Sequence, residues 1–157
     1  MSADNQQERL DNKWVSGFVD GEGCFYVGIN KIQNMTLGWQ VLPEFRLVQH
    51  KKNIFVLKKV QELFGYGVIT RNHGDRFELR VRKIGDLKKL IEFFQQNPLM
   101  TTKKDDFNLF KKIIYLMDKK EHLKEEELKA IAKLSSEMNR KIKPKFLESS
   151  ETIRPTS

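Results

Sequence analysis

The sequence contains one cysteine, Cys24, among its 157 residues. A single cysteine rules out an internal disulfide framework and suits a reducing compartment. No apolar run approaches the roughly 20 residues that a helix needs to span a bilayer. Residues 1–12 are polar and carry acids as well as Arg9, unlike an apolar signal segment or an Arg- and Ser-rich transit peptide. We therefore expect an intracellular protein that is not secreted and has no membrane partner, either made where it works or lacking its targeting sequence.

The composition is rich in charged residues and has a net positive charge. Charged residues make up 32% of the chain, and 29 Lys and Arg against 21 Asp and Glu leave a net charge of +8. A basic domain most often has a polyanionic partner, and nucleic acid is the default. The length suffices for one domain with a hydrophobic core. We interpret residues 1–157 as one such domain, with a flexible lead-in at 1–11, a core at 12–140 and a basic tail at 141–157.

Hydrophobic spacing predicts a mixed α/β (α+β) fold. The predicted elements are helices at about 12–21, 53–64, 84–96, 102–117 and 124–140, and strands at 24–30, 40–49, 68–71 and 76–82. Pro43 indicates an edge or an irregularity in the second strand, and Asn53 is predicted to cap the second helix. Two hairpins in one unit predict a four-stranded antiparallel sheet with helices on one face and the other face free.

One stretch near the N-terminus combines small residues with paired acids: residues 14–23 read Trp-Val-Ser-Gly-Phe-Val-Asp-Gly-Glu-Gly. Gly17 and Gly21 lie four apart on one face of the predicted helix, which lets another backbone approach closely. Asp20 and Glu22 fall at its C-terminus, where the helix dipole disfavours negative charge. A divalent cation with oxygen ligands would neutralise these acids. The alternative is an ordinary helix cap with solvated acids.

Residues 15–23 resemble the signature motif of the LAGLIDADG homing endonucleases, present here in a single copy. Gly17, Asp20 and Gly23 match the motif letter for letter. Glu22 stands where Asp is commoner, which keeps the carboxylate and adds one methylene. The resemblance covers about residues 14–117. It implies the αββαββα fold of that family, with a four-stranded antiparallel DNA-binding sheet, and the last predicted helices would be C-terminal additions.

The resemblance also implies a metal-dependent endodeoxyribonuclease. Glu22 would be the metal-binding acid, and the carbonyl of Gly21 would be the neighbouring ligand. Gln49 would order active-site water. Lys103 would stabilise developing charge or help to activate water, although Lys104 beside it could be the true match. The expected cofactor is Mg²⁺, with Mn²⁺ substituting and Ca²⁺ binding without supporting cleavage.

A homodimer follows from the single motif, because one metal-binding acid per chain gives one active site and two strands must be cut. The motif helix would pack against its twin by two-fold symmetry. Its structural residues would be Ser16, Gly17, Asp20 and Gly21, with Asp20 bracing the helix end. A two-fold protein requires a nearly palindromic target. Enzymes of the family leave 3′ overhangs and promote intron mobility.

Polar side chains on the free face of the predicted sheet suit base recognition, since Arg reads guanine and Asn or Gln reads adenine. The residues predicted to contact DNA are Tyr26, Asn30, Gln40, Glu44, Arg46, Thr70, Asn72, Arg76, Glu78, Arg80 and Arg82. The two acids could accept from cytosine or buttress neighbouring arginines. Phosphate contacts are predicted for Lys51, Lys52, Lys141, Lys143 and Lys145. A solvated polar face and solvated lysines are the alternatives.

The function that these observations favour is site-specific cleavage of double-stranded DNA, with no small-molecule substrate. The first alternative is an intron RNA maturase of the same fold, which assists splicing and in the family has often lost the acid that Glu22 represents. The second is a non-catalytic DNA-binding regulator, which would bind without metal. Family members are often encoded in introns of organelles or archaea. We therefore expect a mitochondrial, chloroplast, or prokaryotic or archaeal cytoplasmic location.

Overall fold

The computed structural model describes residues 9–33, 38–119 and 124–138. Its elements in chain order are α1 (Asn12–Glu22), β1 (Gly23–Lys31), β2 (Trp39–His50), α2 (Ile54–Phe64), β3 (Val68–His73), β4 (Arg76–Val81), α3 (Ile84–Gln96), α4 (Lys103–Asp118) and α5 (Glu125–Glu137). This order confirms the predicted mixed α/β fold, and α3 has the predicted bounds. Within the described residues no helix is both long and apolar enough to cross a membrane.

The four strands form one sheet in the order β1-β2-β4-β3, with antiparallel pairing of β2 to β4 and of β4 to β3. Of the two possibilities predicted at Pro43, an edge or an irregularity, the first does not hold for β2 as a whole, because β2 lies between two strands. However, the ladder from β2 to β4 begins at Phe45. Pro43 precedes this ladder, so its missing N–H takes no bond away from β4.

Residues paired across the strands share a face of the sheet, and the register separates two faces. Leu47 pairs with Leu79, which pairs with Ile69; Leu47 and Leu79 are fully buried, so this row faces the core. The next row, Arg46, Arg80 and Val68, therefore faces the opposite way. We call this second face, within residues 45–82, the outward face. It is the free face that the sequence predicts for binding.

Two compact units divide the chain by their internal contacts. The first contains residues up to Cys24 and the segment Phe45–Lys104. Its core is built from buried apolar side chains of α1, α2, α3, β2 and β4, and the ring of Phe45 lies 6.2 Å from that of Phe94. Each fully buried side chain of this size contributes about 1.5–3 kcal/mol of transfer free energy. The single domain predicted from the sequence stays a prediction.

The second unit contains Phe25–Glu44 and the residues from Asp105 onward. Phe25 of β1 packs on Phe107 and Phe110 of α4, with ring centroids 5.5 and 5.2 Å apart. Ser135 of α5 is buried, and its hydroxyl donates to the carbonyl of Val27 at 3.2 Å. The C-terminal helix α5 therefore covers β1 and satisfies one of its backbone acceptors.

The first helix begins at Asn12, as predicted, and a side chain caps it. Asp11, the last residue of the predicted lead-in, caps α1: its Oδ1 accepts from the backbone N–H groups of Lys13 at 2.7 Å and Trp14 at 3.3 Å. A side-chain cap of this kind stabilises a helix by about 1 kcal/mol. Residues 1–8 and the whole predicted tail, 141–157, lie outside the described part of the chain.

Candidate active site and sheet surface

Helix α1 buries one side and exposes the other. Val15 and Val19 are fully buried, whereas Gly17 and Gly21 are exposed, and a Cβ atom added at either glycine would meet no atom within 4 Å. Trp14 is 47% exposed and stacks on Phe18, with ring centroids 5.0 Å apart. Phe18 is partly exposed, and these four positions, i, i+3, i+4 and i+7, form one face of the helix. We call Trp14, Gly17, Phe18 and Gly21 the α1 strip.

The opposite side of α1 is tied to the connection between α3 and α4. The hydroxyl of Ser16 donates to the carbonyls of Asn97 at 2.7 Å and Pro98 at 3.1 Å. One turn further on, Asp20 accepts from the backbone N–H groups of Met100 at 2.7 Å and Thr101 at 3.1 Å. Because the bonds come from two successive turns, they hold both the rotation of α1 and the position of its C-terminal end.

The carboxylate of Asp20 stays ionised despite its surroundings. Burial alone would raise its pKa, but the hydrogen bonds from Met100 and Thr101, together with the positive charge of Lys103, lower the pKa below its ordinary value of 3.8. A carboxylate that accepts several N–H and O–H bonds is stabilised in its charged form. The carboxylate of Asp20 thus accepts hydrogen bonds that brace the end of α1, which fits the structural role predicted for this residue.

Replacing Asp20 by Asn is expected to lower the melting temperature more at pH 7 than at pH 3. The folded pKa lies below the unfolded one, so this carboxylate stabilises the protein fully above the unfolded pKa. That stabilisation is lost as the pH falls through the folded value. Thermal unfolding followed by circular dichroism in EDTA measures the difference, with Glu62→Gln, a substitution of an exposed carboxylate in α2, as the control. An equal loss at both pH values would contradict the assignment.

Glu22 is the last residue of α1 and is exposed, and the last turn of the helix carries no basic residue. The ammonium group of Lys103 donates to the carbonyl of Gly23, the residue after Glu22. Gly23 is buried, and a Cβ there would lie 2.6 Å from Cγ1 of Val19. Only glycine therefore lets the chain turn tightly from α1 into β1, and this turn brings the Gly23 carbonyl to Lys103. Lys104 is exposed.

The donor set at the end of α1 fits a hard cation that keeps open positions. Glu22 offers an exposed carboxylate, and the exposed backbone of Gly21 offers a carbonyl. Among the described residues there is no group of three or more His, Cys, Asp or Glu side chains that could hold a metal ion. Mg²⁺ is commonly held by one or two carboxylates together with water and phosphate oxygens, whereas a closed zinc site needs four protein ligands.

Gln49 lies near the end of β2, on the same side of the strand as Phe45 and Leu47, and is half-buried. Its Oε1 accepts from Nδ2 of Asn53 at 3.4 Å. Asn53 occupies the N-cap position of α2, as predicted, but its side chain makes no cap hydrogen bond there. The side chain instead orients Gln49, across the short 3₁₀ turn Lys51–Asn53 that precedes α2.

The outward face of the first unit carries several of the predicted DNA contacts. Three rows cross β2, β4 and β3: Arg46, Arg80 and Val68; Val48, Glu78 and Thr70; His50, Arg76 and His73. Arg76 is exposed, and Arg46, Thr70 and Arg80 are partly exposed. Arg82 is exposed just beyond the end of β4. Val48 and Val68 also lie on this face, as the period-two alternation of the strands predicts, although neither is polar enough to be predicted as a DNA contact.

The predicted roles of the two acids on the sheet need correction. Glu44 and Glu78 are only 7% and 6% exposed, so neither is an open acceptor for a base. Glu78 accepts from Nδ2 of Asn72 at 2.7 Å, and Asn72 lies at the register shift between Arg71 and His73. Glu78 therefore holds the irregular part of β3 in place through Asn72, whereas the sequence leaves open that it buttresses neighbouring arginines.

The remaining predicted contacts differ in their exposure. In the second unit, Asn30 is exposed, whereas Tyr26 and Gln40 are partly buried. In the first unit, Lys51 and Lys52 are exposed, and Nζ of Lys51 lies 3.6 Å from Oδ1 of Asp75. An exposed ion pair of this kind contributes about 0–1 kcal/mol, so phosphate could replace Asp75 at little cost. Lys141, Lys143 and Lys145 lie outside the described residues.

The family model described as LAGLIDADG endonuclease matches residues 15–114, from α1 into α4. The chain belongs to the LAGLIDADG endonuclease family. The match begins within α1, at Val15, and includes Glu22, Gln49 and Lys103. This result confirms the family predicted from the sequence of residues 15–23.

Solved LAGLIDADG structures share the fold. The crystal structure of the homing endonuclease I-TnaI is 49% identical, has a TM-score of 0.86, and is matched over 93% of this chain and 99% of that one. I-SmaMI, solved with an uncleaved DNA target in the presence of calcium ions, is 32% identical with a TM-score of 0.86, over 92% of this chain and 49% of that one.

The curated relatives are longer proteins. A "Probable intron-encoded endonuclease 3" of Neurospora crassa is 38% identical over 132 residues, which is 82% of this chain and 25% of the relative. An uncharacterized protein in ND4 intron 1 of Podospora anserina is 37% identical over 73% of this chain and 26% of its own length. The chain thus spans about a quarter of the length of these two relatives.

Proposed function

We propose that this chain is one subunit of a homodimeric, Mg²⁺-dependent homing endonuclease that cuts both strands of a pseudo-palindromic DNA target. The observation that carries the proposal is the arrangement at the end of α1, where an exposed carboxylate, Glu22, lies one residue from a carbonyl held by Lys103. Family membership supports DNA endonuclease activity, and I-SmaMI, which shares the fold, was solved with DNA.

The α1 strip supports assembly into a dimer. Its two glycines leave open space, and its stacked Trp14 and Phe18 present an apolar surface that an isolated subunit would expose to water. A second copy related by a two-fold axis would meet the same surface, since a two-fold interface is self-complementary. The two Glu22 side chains then lie near each other at the ends of the paired helices, one for each DNA strand.

Each residue of the site has a distinct task in phosphodiester hydrolysis. Glu22 and the carbonyl of Gly21 would hold Mg²⁺, which when bound supplies charge neutralisation at the phosphate. Lys103, anchored beside them, places a second positive charge where negative charge develops on the phosphate or leaving oxygen. Gln49, oriented by Asn53, would hold the attacking water by hydrogen bonding. Cleavage would leave 3′ overhangs. Mn²⁺ would substitute for Mg²⁺, whereas Ca²⁺ would bind without supporting cleavage.

The outward face is the proposed contact surface for the DNA major groove. On this face, Arg46, Arg76 and Arg80 suit guanine edges. In the second unit, Asn30 and Gln40 are separate candidates for contacts to adenine. Lys51 and Lys52 would contact phosphates at the end of β2. We also propose that the protein is encoded in an organellar intron and acts in a mitochondrion or chloroplast, because relatives such as the Neurospora crassa protein are named as intron-encoded endonucleases.

A cleavage selection tests this function. The purified protein is incubated with randomised near-palindromic duplexes in Mg²⁺, in Ca²⁺ and in EDTA, and the cut ends are sequenced. We expect one pseudo-palindrome to be enriched among molecules cut in Mg²⁺ alone, with 3′ overhangs. Absence of cleavage in Mg²⁺ and Mn²⁺ would contradict the proposal. Tight binding of a structured intron RNA in that case would identify a maturase, and metal-independent duplex binding would identify a DNA-binding regulator.

The choice between the two neighbouring lysines gives a further prediction. Lys103→Met should reduce the single-turnover cleavage rate by about 10²-fold, the typical cost of losing one charge-stabilising donor. Lys104→Met should stay within a few-fold of wild type, because Lys104 is exposed and Lys103 holds the Gly23 carbonyl. The reverse ranking of the two variants would show that Lys104 is the active-site lysine.

A further inference from the structure

Thr101 joins the two sides of the proposed active site through its hydroxyl group. The hydroxyl donates to Oδ1 of Asp20 at 2.8 Å and accepts from the backbone N–H of Lys103 at 3.2 Å. The backbone N–H of Thr101 also donates to Oδ1 of Asp20, at 3.1 Å. The same side chain therefore braces the end of α1 and caps the beginning of α4.

Two connections hold the chain on either side of Glu22. On one side, Thr101 holds Asp20, two residues before Glu22. On the other, the ammonium group of Lys103 holds the carbonyl of Gly23, one residue after Glu22. Because Thr101 also binds the backbone N–H of Lys103, these contacts close a ring of residues: Asp20, the chain through Glu22 to Gly23, Lys103, and Thr101.

From this ring we infer that Thr101 is a positioning residue for cleavage, which sets the separation of Glu22 and Lys103 without touching the DNA. The inference rests on the proposed function. A displacement of about 1 Å at a site of this kind can cost on the order of 10²-fold in rate. Thr102, the adjacent residue, is exposed, so its hydroxyl offers a matched comparison. The family signature ends before this region, so the motif itself does not point to Thr101.

The variants separate the hydroxyl from the shape of the side chain. Thr101→Val removes the hydroxyl at nearly constant volume, Thr101→Ser keeps it, and Thr102→Val is the control. On the target found by selection, we expect Thr101→Val to lower the single-turnover rate about 10- to 100-fold. Its affinity for DNA in Ca²⁺ should stay within a few-fold of wild type. Serine should restore most of the rate, and Thr102→Val should cleave like wild type.

Combination with Lys103→Met distinguishes positioning from general destabilisation. If Thr101 acts by placing Lys103 and Glu22 relative to each other, its replacement should cost much less in the Lys103→Met background than in wild type, because coupled residues are non-additive. Full additivity of the two effects would overturn the inference. So would a wild-type rate for Thr101→Val.

A second readout does not depend on cleavage at all. Acetic anhydride modifies exposed amines, and mass spectrometry follows each lysine separately. Lys103 should react several-fold more slowly than Lys104 in the wild-type protein, and Thr101→Val should raise the reactivity of Lys103 alone. Unchanged reactivity of Lys103 would show that Thr101 does not position it, whether or not the protein cuts DNA. If Thr101→Val raises the reactivity of Lys103 as expected but the wild-type protein does not cleave DNA, the result counts against the proposed function and not against the positioning role of Thr101.

Discussion

Glu22→Gln should reduce DNA cleavage by about 10³-fold or more while leaving DNA affinity in Ca²⁺ within about tenfold of wild type. The substitution keeps the size of the side chain and removes the charge that holds the cation. Glu22 is exposed and the pairs Asp20–Thr101 and Gly23–Lys103 do not use its side chain, so the fold and the outward face should be unaffected. Single-turnover cleavage and fluorescence anisotropy measure the two quantities.

Glu62→Gln is the matched control for this prediction, because Glu62 is an exposed glutamate in the last turn of α2, away from the proposed site. It should cleave at the wild-type rate. Isothermal titration of Mn²⁺ should show weaker cation binding for Glu22→Gln and no change for Glu62→Gln. A Glu22→Gln protein that cleaves as fast as wild type would remove Glu22 from the mechanism.

Gly17→Leu should abolish dimer formation and, with it, double-strand cleavage. In one subunit a Cβ atom at Gly17 meets nothing within 4 Å, so the larger side chain has room in the folded monomer. Replacing an exposed helical glycine also removes a helix penalty of about 0.5–1 kcal/mol. Across a two-fold axis, however, two leucines would meet where two glycines allow close packing. The variant should therefore sediment as a monomer without a lower melting temperature.

Gly85→Leu provides a control with the same chemistry. Gly85 is also a helical glycine, lies in α3, and likewise has open space around its added Cβ. This variant should stay dimeric and active. DNA affinity of the Gly17→Leu monomer should fall by at least about 10²-fold, because each half-site is then bound without the avidity of the dimer. A dimeric Gly17→Leu protein would show that the α1 strip is not the interface.

Local periodicity was sufficient to predict most of the fold. Leu87, Leu90, Ile91 and Phe94 repeat with helical spacing, and they are the buried side chains of α3. Alternation in Phe25, Val27 and Ile29 likewise predicts the buried side of β1. These elements were predictable because the spacing of apolar residues indicates both the type of element and the side that it buries away from water. The sequence order of hairpins and helices then restricts the topology.

The degree of burial of individual side chains, and the partners of their hydrogen bonds, could not be predicted from periodicity. Alternation places Glu44 and Glu78 on a face, but how deeply they are buried depends on neighbouring elements. Asn53 follows the cap preference of asparagine, yet its side chain binds Gln49 instead.

The backbone N–H groups of Met100 and Thr101 donate to Asp20, which lies about 80 residues earlier in the chain. No local sequence pattern predicts hydrogen bonds between residues so far apart. A local cap signal was present in the sequence Thr101-Thr102-Lys103. It indicates that a threonine could cap α4, but it cannot show that the same hydroxyl reaches α1.

The central claim is that pairing of the α1 helices brings together two active sites, each with its own Glu22, and that each site cuts one DNA strand. A mixed dimer tests this claim most directly. Wild-type and Glu22→Gln subunits carrying different tags are co-expressed, and the heterodimer is purified through both tags. It is then added with Mg²⁺ to a supercoiled plasmid that carries the selected target. We predict rapid accumulation of the nicked circle, with little linear product. Linearisation by the heterodimer at the wild-type rate would contradict the account, because one Glu22 would then serve both strands.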